Sequence, residues 1–182
     1  MLHHRNLHPL SLQELASRIP IVVDFPKPGI QFRDISPLLA DPRAFDELVT
    51  RMSSAVRESN PTVIFGLESR GFLFGISIAR ELGLPFVPVR KPGKLPGPTI
   101  EVSYSLEYGS GALQVQSTAA SPADRVAIVD DLLATGGTLL GTAQLVSKLG
   151  ATISGAFFAV ELQGLGGRAQ VPGLPITSVL TM

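Results

Sequence analysis

The sequence contains no cysteine, which excludes disulfide bonds and thiolate metal sites. It carries no net formal charge, so the chain as a whole is not attracted electrostatically to nucleic acid or to an anionic membrane. The longest nearly apolar run, Ala151 to Val160, is much shorter than the roughly 20 residues that a membrane-spanning helix needs. Residues 1–10 lack the apolar core and cleavage site of a signal peptide, so a cytoplasmic location is expected.

The composition is that of a globular domain with a substantial core. Hydrophobic residues make up 45% and charged residues 16% of 182 residues, a length that one domain covers, so residues 1–182 are predicted to form a single domain. Three histidines near the start could bind a metal, but a weakly ordered terminus is the preferred interpretation. Any affinity for phosphate must come from a local site.

The first third of the chain predicts two helices separated by an irregular segment. Ser11 and Glu14 have the spacing of a capping box, which indicates the start of a short helix. Residues 24–39 contain three prolines and a glycine, so they form an ordered excursion or lid rather than a long regular element. Asp41 is a predicted N-cap, and Pro42 takes the first position of a second helix.

From residue 62 onward, apolar strand patterns alternate with helical patterns. A hairpin is predicted at residues 100–116, with Gly109 and Gly111 between its arms. The prolines of residues 84–90 favour a strand end or an edge strand there, whereas residues 125–131 are predicted to form a central strand. Further strands are predicted at 62–66, 151–162 and 176–180, and helices at 72–82 and 137–149. This alternation predicts a parallel sheet covered by helices on both faces, with one hairpin inserted.

Ligands of such folds bind outside the carboxyl ends of the strands. Three polar segments follow predicted strands at that edge of the sheet. They are GLESRG at 66–71, RKPGKLPG at 90–97 and DDLLATGGT at 130–138.

The segment DDLLATGGT has the composition of a site for a phosphorylated sugar. Ala134 to Thr138 offer consecutive backbone N–H groups and two hydroxyls ahead of a helix N-terminus, which favours a phosphate. Asp130 and Asp131 can accept hydrogen bonds from neighbouring sugar hydroxyls or steady a magnesium–diphosphate group. A ribose 5-phosphate could be bound by both parts of the segment, its hydroxyls by the acids and its phosphate by the turn. The alternative interpretation is that the acids are merely solvated at the strand end and that the turn only caps the next helix. No lysine follows the second glycine as in a Walker A loop, and the dinucleotide G-x-G-x-x-G spacing is absent.

The run RVAIVDDLLATGGT resembles the phosphoribosyl diphosphate (PRPP) motif of the type I phosphoribosyltransferases. The segments DFPKPGIQFRDISPLL, GLESRGFLFG, VRKPGKLPGPT and SYSLEYG are similar to those of the adenine-specific members, and the match runs from about Val23 to about Leu162. The resemblance implies an α/β fold with a mainly parallel sheet flanked by helices, an N-terminal arm and purine-binding hood at 1–40 and a flexible hairpin lid at 95–117. It also implies the reaction of adenine with PRPP to give AMP and diphosphate, with Mg²⁺ as cofactor.

The resemblance assigns the phosphate-binding residues. Asp130 and Asp131 would hold the ribose hydroxyls, and the 5-phosphate would be bound by Ala134, Thr135, Gly136, Gly137 and Thr138. The diphosphate would be bound by Glu68, Ser69, Arg70, Gly71, Arg90, Lys91 and Lys94. Mg²⁺ would be held mainly by PRPP. In the family such basic residues can reach a neighbouring subunit's site, which implies a homodimer. The alternative interpretation of Arg70 is a surface ion pair. The alternative interpretation of the basic run Arg90, Lys91 and Lys94 is a solvated surface.

The resemblance places the catalytic acid/base in the hairpin lid, which would close over a reactive cationic ribose. Relatives that use hypoxanthine or guanine carry an acid where this chain has Ala134. Glu107 is therefore the candidate acid/base, and Tyr108 would pack over the site; the alternative for Glu107 is an exposed hairpin glutamate. No nucleophilic cysteine or serine elbow is present, so a direct displacement assisted by Arg70 is expected.

The resemblance places the purine against Phe32. Backbone groups of Gln31 and Arg33 would read the edge of the adenine, and Leu162 would form the opposite wall. The alternative is that Phe32 is simply a buried aromatic residue. No function is assigned to the residues after Leu162.

Two other functions are compatible with the phosphate motif. One is a phosphoribosyltransferase acting on xanthine or another 6-oxopurine, against which the adenine-type hood argues. The other is a PRPP-binding regulator without turnover, but the chain has no basic stripe for nucleic acid. The predicted partners are therefore adenine and PRPP, with neither nucleic acid nor membrane.

Overall fold

A computed structural model describes residues 8–106 and 109–182. The chain divides into two compact units, Met1–Thr50 and Arg51–Met182, which are described separately. Across the described residues, none of the helices combines the length and the apolar character needed to cross a membrane.

The first unit contains short elements that its capping residues set. They are α1 (Leu12–Ala16), β1 (Ile21–Val23), β2 (Gln31–Arg33), α2 (Ser36–Ala40) and the first half of α3 (Pro42–Glu58). Ser11 and Glu14 form the predicted capping box at α1. Oδ1 of Asp41 accepts hydrogen bonds from the backbone N–H groups of Arg43 and Ala44, at 3.0 and 3.2 Å, so the predicted cap ahead of Pro42 is confirmed.

Residues 24–39, which were predicted to lack a long regular element, begin in the bend of a short antiparallel ribbon. β1 pairs with β2 in the register Val22↔Phe32. The bend between them is closed by Asp24, whose Oδ1 accepts a hydrogen bond from the N–H of Gly29 at 2.7 Å. All residues from Ile21 to Gln31 are exposed.

The second unit is built on a five-stranded sheet. Its elements are β3 (Val63–Leu67), α4 (Gly71–Leu82), β4 (Phe86–Val89), β5 (Thr99–Leu106), β6 (Gly109–Gln116), β7 (Arg125–Leu133), α5 (Gly137–Lys148), β8 (Thr152–Glu161), two 3₁₀ turns (Gln163–Leu165 and Gly167–Gln170) and β9 (Ile176–Thr181). The strand order is β4-β3-β7-β8-β9, and every pair is parallel. Of the two positions that the prolines of residues 84–90 allow, β4 therefore occupies the edge, and the predicted central strand is confirmed as β7.

Burial of the strands explains their apolar runs. β3 is buried along its whole length, as a strand inside a parallel sheet must be. Val63, Phe65 and Leu67 belong to one hydrophobic cluster with residues of α5 and of the β5–β6 hairpin. α4 packs against β3 and β7, and Gly75 leaves room for the ring of Phe86, since a Cβ there would lie 2.8 Å from that ring.

The strand that carries the two acids is longer than the sequence indicates. β7 continues beyond Asp130 and Asp131 because Leu132 and Leu133 pair with Val160 and Glu161 of β8. Both acids therefore lie within the strand, and the turn begins at Ala134.

The hairpin also differs in detail, because Gly109 and Gly111 belong to β6 rather than to the turn between the arms. Gly111 pairs with Tyr104, and a Cβ on Gly111 would come within 2.5 Å of the Tyr104 ring, which explains the need for glycine there.

Candidate active site

The polar segments that follow β3, β4 and β7 lie at one edge of the sheet. These strands are parallel neighbours, so their carboxyl ends point the same way. Residues 68–71, 90–94 and 134–138 follow them directly. An open parallel sheet binds its ligands at this edge.

A small cavity of about 80 Å³ lies at the start of α5. Its walls are Asp130, Leu132, Leu133, Phe158 and the continuous run from Ala134 to Leu139. The first N–H groups of an α-helix have no carbonyl partner within the helix, and, among the described residues, no side chain caps Gly136 at this helix start. Those N–H groups and the helix dipole favour an anion in the cavity.

The turn reaches this conformation through Gly136, which has φ of +84°. Residues with a side chain rarely adopt a positive φ, and a Cβ on Gly136 would overlap the carbonyl oxygen of Gly167. Gly137 is buried, Ala134 and Thr138 are half-buried, and Thr135 is exposed. All five predicted phosphate-binding residues therefore line one cavity.

The two acids differ in their surroundings. Asp131 is only 4% exposed, and its Oδ2 lies 2.9 Å from Nε of Arg70. The two groups are not aligned as a hydrogen bond, and within the described part of the chain this oxygen accepts none. Asp130 is half-buried, lines the cavity, and accepts a hydrogen bond from the N–H of Asp131 at 2.8 Å.

Desolvation governs the ionisation of this pair. It raises the pKa of Asp130 well above the usual range of an aspartate, and the adjacent Asp131 charge adds to the effect. Burial also raises the pKa of Asp131, although the Arg70 guanidinium opposes the increase. Two carboxyls with raised pKa values beside a cavity are typical of a functional site, because a bound ligand can change their protonation.

Arg70 and Gly71 bring the start of α4 against the same acids. A Cβ on Gly71 would lie 2.7 Å from Oδ1 of Asp130 and 2.9 Å from the carbonyl oxygen of Val129, so only glycine fits. Ser69, ahead of Arg70, is exposed. The predicted ribose-binding acids and part of the predicted diphosphate segment are therefore in contact.

Glu68 organises the basic segment after β4. Its carboxylate accepts hydrogen bonds from Lys94 Nζ at 2.6 Å, from the backbone N–H of Lys91 at 2.8 Å and from Arg90 Nε at 3.3 Å. Burial alone would raise the pKa of Glu68, but the bonds from Lys94, Lys91 and Arg90 outweigh it and lower the value to about 2. Glu68 therefore stays charged and holds two cations in place.

Arg90 joins this segment to the hairpin. Its backbone exchanges two hydrogen bonds with Gln114, at 2.9 and 2.7 Å, and its guanidinium lies 5.9 Å from the centre of the Phe72 ring. The Lys91 side chain is exposed. The predicted basic residues thus lie together beside Glu68.

The part of the predicted lid that adjoins the sheet belongs to the hydrophobic core. Val102, Leu113 and Val115 are at most 5% exposed. Tyr104 packs over α5, where a Cβ on Gly141 would come within 2.8 Å of its ring. Glu107 and Tyr108 lie outside the described residues, so their assignment stays a prediction.

The predicted adenine-binding residues occupy both units. Phe32 is half-buried, and its ring meets that of Phe25 edge-on with 5.0 Å between centroids. Its neighbours on β2 are Gln31, which is exposed, and Arg33, which is half-buried. In the second unit Leu162 is half-buried directly after β8, and its N–H donates to the carbonyl of Leu133 at 2.9 Å.

The carboxylates at this edge of the sheet could supply only a few of the ligands that Mg²⁺ needs. Mg²⁺ prefers oxygen ligands, which Asp130 and the buried Oδ2 of Asp131 supply. Among the described residues no group of three His, Cys, Asp or Glu side chains could hold a metal ion. A magnesium ion at this site would therefore need most of its ligands from the substrate or water.

One part of the site was missed by sequence reasoning. Gly167 is buried, and a Cβ there would overlap the carbonyl oxygen of Ala134. The only signal in the sequence is the pair Gly166–Gly167 shortly after a buried strand. A glycine pair in that position can mark a close approach of two backbones, but it does not identify the partner.

Comparison with known proteins agrees with this arrangement. The family model of the phosphoribosyl transferase domain matches residues 38–162, more than half of the chain. The adenine phosphoribosyltransferase of Francisella philomiragia is 50% identical over 173 residues, which are 94% of this chain and 99% of that protein.

Solved structures show the same similarity. The crystal structure of adenine phosphoribosyltransferase from Thermoanaerobacter pseudethanolicus superimposes with a TM-score of 0.92 at 44% identity, over 94% of this chain and all of the other. The enzyme from Saccharomyces cerevisiae, in a complex with adenine and an imino-altritol bisphosphate, gives a TM-score of 0.84 at 39% identity, over 92% and 97% of the two chains. The predicted α/β fold of the type I phosphoribosyltransferases is thereby confirmed, and the chain belongs to the adenine phosphoribosyltransferase family.

Proposed function

We propose that this chain transfers the phosphoribosyl group of PRPP to adenine, forming AMP and releasing diphosphate. The observation that carries the proposal is the cavity lined by the start of α5 and by Asp130, where no side chain among the described residues caps the helix. The family membership supports adenine as the accepting base.

The turn from Ala134 to Thr138 binds the 5-phosphate in this proposal. The helix start supplies backbone N–H donors, and Thr135 and Thr138 supply hydroxyls. Asp130 and Asp131 accept hydrogen bonds from the two ribose hydroxyls. Hydrogen bonds to an ionised carboxylate are stronger than those to a neutral carboxyl group, so the bound sugar favours loss of a proton from the pair.

The segment Glu68 to Gly71 and the basic residues receive the diphosphate. Arg70 is the nearest guanidinium to the ribose-binding acids, and the twelve-residue helix α4 starts beside it. Glu68 acts indirectly, because its carboxylate holds Arg90 and Lys94 where they offset the negative charge of the leaving group.

Mg²⁺ is the proposed cofactor. Bound mainly by PRPP oxygens, with Asp130 and Asp131 as the nearest protein carboxylates, it would offset the charge of the leaving diphosphate.

The chemical step is a displacement at C1 of the ribose. The lone pair of adenine N9 forms the new bond, and the C1–oxygen bond breaks with its electron pair going to the diphosphate. N9 gives up its proton, and Glu107, the acid/base candidate in the predicted lid, is the proposed acceptor of that proton. Arg70 stabilises the charge that develops on the departing oxygen.

Phe32 is the proposed stacking partner of the purine, with backbone groups of Gln31 and Arg33 at its edge. Support comes from the position of Phe32 on an exposed ribbon, where its ring is only half-buried and packs edge-on against Phe25. Leu162 is the proposed opposite wall. Tyr108 would cover the site once the lid closes.

We also propose a cytoplasmic homodimer. Leu73 and Ile76 are 44% and 53% exposed on one side of α4, close to Arg70 in the sequence, and would be covered by a second copy. Lys91, exposed at the end of β4, is then available to a neighbouring site. A cytoplasmic location fits a substrate with several negative charges, which a lipid bilayer does not pass unaided.

The test is product formation from PRPP and Mg²⁺ with adenine, hypoxanthine, guanine or xanthine offered separately. AMP from adenine alone is the expected result, because mispairing a buried polar group costs about 1–3 kcal/mol. Asp130→Asn should lose turnover, whereas Arg57→Gln, which removes an exposed charge on α3, is the matched control.

Two outcomes would replace the proposal. Turnover with a 6-oxopurine instead of adenine would keep the PRPP site and overturn the assignment of the base. Saturable PRPP binding without any turnover would indicate a regulator.

A further inference from the structure

The 3₁₀ turn Gly167–Gln170, called here the C-terminal turn, packs directly against the phosphate-binding turn. The two backbones are in contact at glycines on both sides. A Cβ on Gly167 would overlap the carbonyl oxygen of Ala134, and a Cβ on Gly136 would overlap the carbonyl oxygen of Gly167. The side chain of Gln170 also reaches within 3.0 Å of that Cβ position on Gly136.

Arg168 fixes the C-terminal turn to the sheet. Its Nε and one terminal nitrogen donate to the two carboxylate oxygens of Glu161, both at 2.6 Å. Its other terminal nitrogen donates to the carbonyl of Ile176 at 2.8 Å. A two-point guanidinium–carboxylate contact fixes orientation as well as distance.

Glu161 is itself held where the phosphate-binding turn leaves the sheet. It is 8% exposed, ends β8, and pairs with Leu133, the last residue of β7. Ser178 Oγ donates a further hydrogen bond to its carboxylate at 2.9 Å. The hydrogen bond from Arg168 lowers the pKa of Glu161, and Glu161 raises the pKa of Arg168, so the pair remains ionised.

We infer that Arg168 is a positioning residue for binding of the PRPP 5-phosphate. Held by Glu161, it presses the Gly167 peptide against Ala134 and Gly136 and so sets the direction of the N–H groups at the start of α5. This inference rests on the proposed function of the phosphate-binding turn. It gives a role to the part of the chain after Leu162, which has no function in the sequence reasoning.

The experiment compares wild type with Arg168→Gln, Glu161→Gln and the double variant. PRPP binding is measured by titration calorimetry, and the KM values for PRPP and adenine by steady-state kinetics. Val63→Ala is the control, because Val63 is a buried residue at the opposite end of a strand of the same sheet. Thermal unfolding of every variant shows how much stability each has lost.

Arg168→Gln is expected to weaken PRPP binding roughly tenfold, about the effect of losing one well-aligned hydrogen bond to the phosphate, with the KM for adenine unchanged. Glu161→Gln should have a similar effect, and the double variant should be no worse than either single variant. Val63→Ala should lose stability without any change in PRPP affinity. If Arg168→Gln does not fold, Glu161→Gln carries the test.

A fall in unfolding temperature with unchanged PRPP affinity would show that the ion pair is only structural and would overturn the inference. Equal increases in both KM values would do the same. Calorimetry keeps this test separate from the proposed function: a wild-type chain that binds PRPP but makes no AMP refutes the function alone. A wild-type chain that binds no PRPP refutes both.

Discussion

Replacing Glu68 with glutamine removes the negative charge that holds the basic segment, while keeping the size of the side chain. The Glu68 side chain is 7% exposed and accepts hydrogen bonds from Lys94, Lys91 and Arg90. Its pKa of about 2 lies below the ordinary value of 4.5. A lowered pKa in the folded state means that the charged form stabilises the fold.

The size of the effect follows from the two pKa values. At about 1.36 kcal/mol for each pKa unit, the difference corresponds to at most about 3.4 kcal/mol of unfolding free energy. Lys94 and Arg90 are 48% and 32% exposed, so solvent screens their attraction and roughly half of that value is expected. The contribution is complete above pH 4.5 and is lost as the pH falls towards 2.

The assay is denaturant-induced unfolding of wild type and Glu68→Gln between pH 7 and pH 2.5. Wild type should be more stable at pH 7 by about 1.5–2 kcal/mol, and the difference should fall to less than half by about pH 3. Glu101→Gln is the matched control, since Glu101 is exposed and its carboxylate meets the neutral amide of Gln114. A difference between wild type and Glu68→Gln that stays constant down to pH 2.5 would refute the reasoning.

Three further substitutions test other parts of the site. Gly136→Ala should raise the KM for PRPP much more than the KM for adenine, because its Cβ would overlap the Gly167 carbonyl; equal KM values for wild type and variant would contradict this. Gly141→Ala should lower unfolding stability by about 1–3 kcal/mol, since its Cβ would press on the Tyr104 ring, and an unchanged melting temperature would count against that packing. Glu107→Gln should lower kcat roughly 10²–10⁴-fold with PRPP affinity retained, as measured in steady-state and binding assays; full turnover would remove Glu107 from the mechanism.

Local signals in the sequence were sufficient for most of the fold. Ser11 with Glu14, and Asp41 with Pro42, mark helix starts through bonds between residues two or three apart, and both starts are confirmed. The position of β4 has a local origin too, because the prolines of residues 84–90 remove ladder donors and so favour a strand end or the edge that β4 occupies.

Features that depend on strand pairing were harder to predict. Asp130 and Asp131 interrupt an apolar run, so the sequence indicates a strand end, yet β8 continues to pair with Leu132 and Leu133. Arg70 offsets part of the cost of burying Asp131 inside the strand. Contact between Gly136 and Gly167 joins residues far apart in the chain, and no periodic pattern connects them.

The paired acids have a consequence for the energetics of ligand binding. Because desolvation raises both of their pKa values, the pair in the free protein holds protons more strongly than ordinary aspartates do. A ligand whose hydroxyls bond more strongly to ionised acceptors favours the release of those protons as it binds. Wherever binding releases protons, the affinity increases with pH, and the measured heat of binding depends on the ionisation enthalpy of the buffer that takes up those protons.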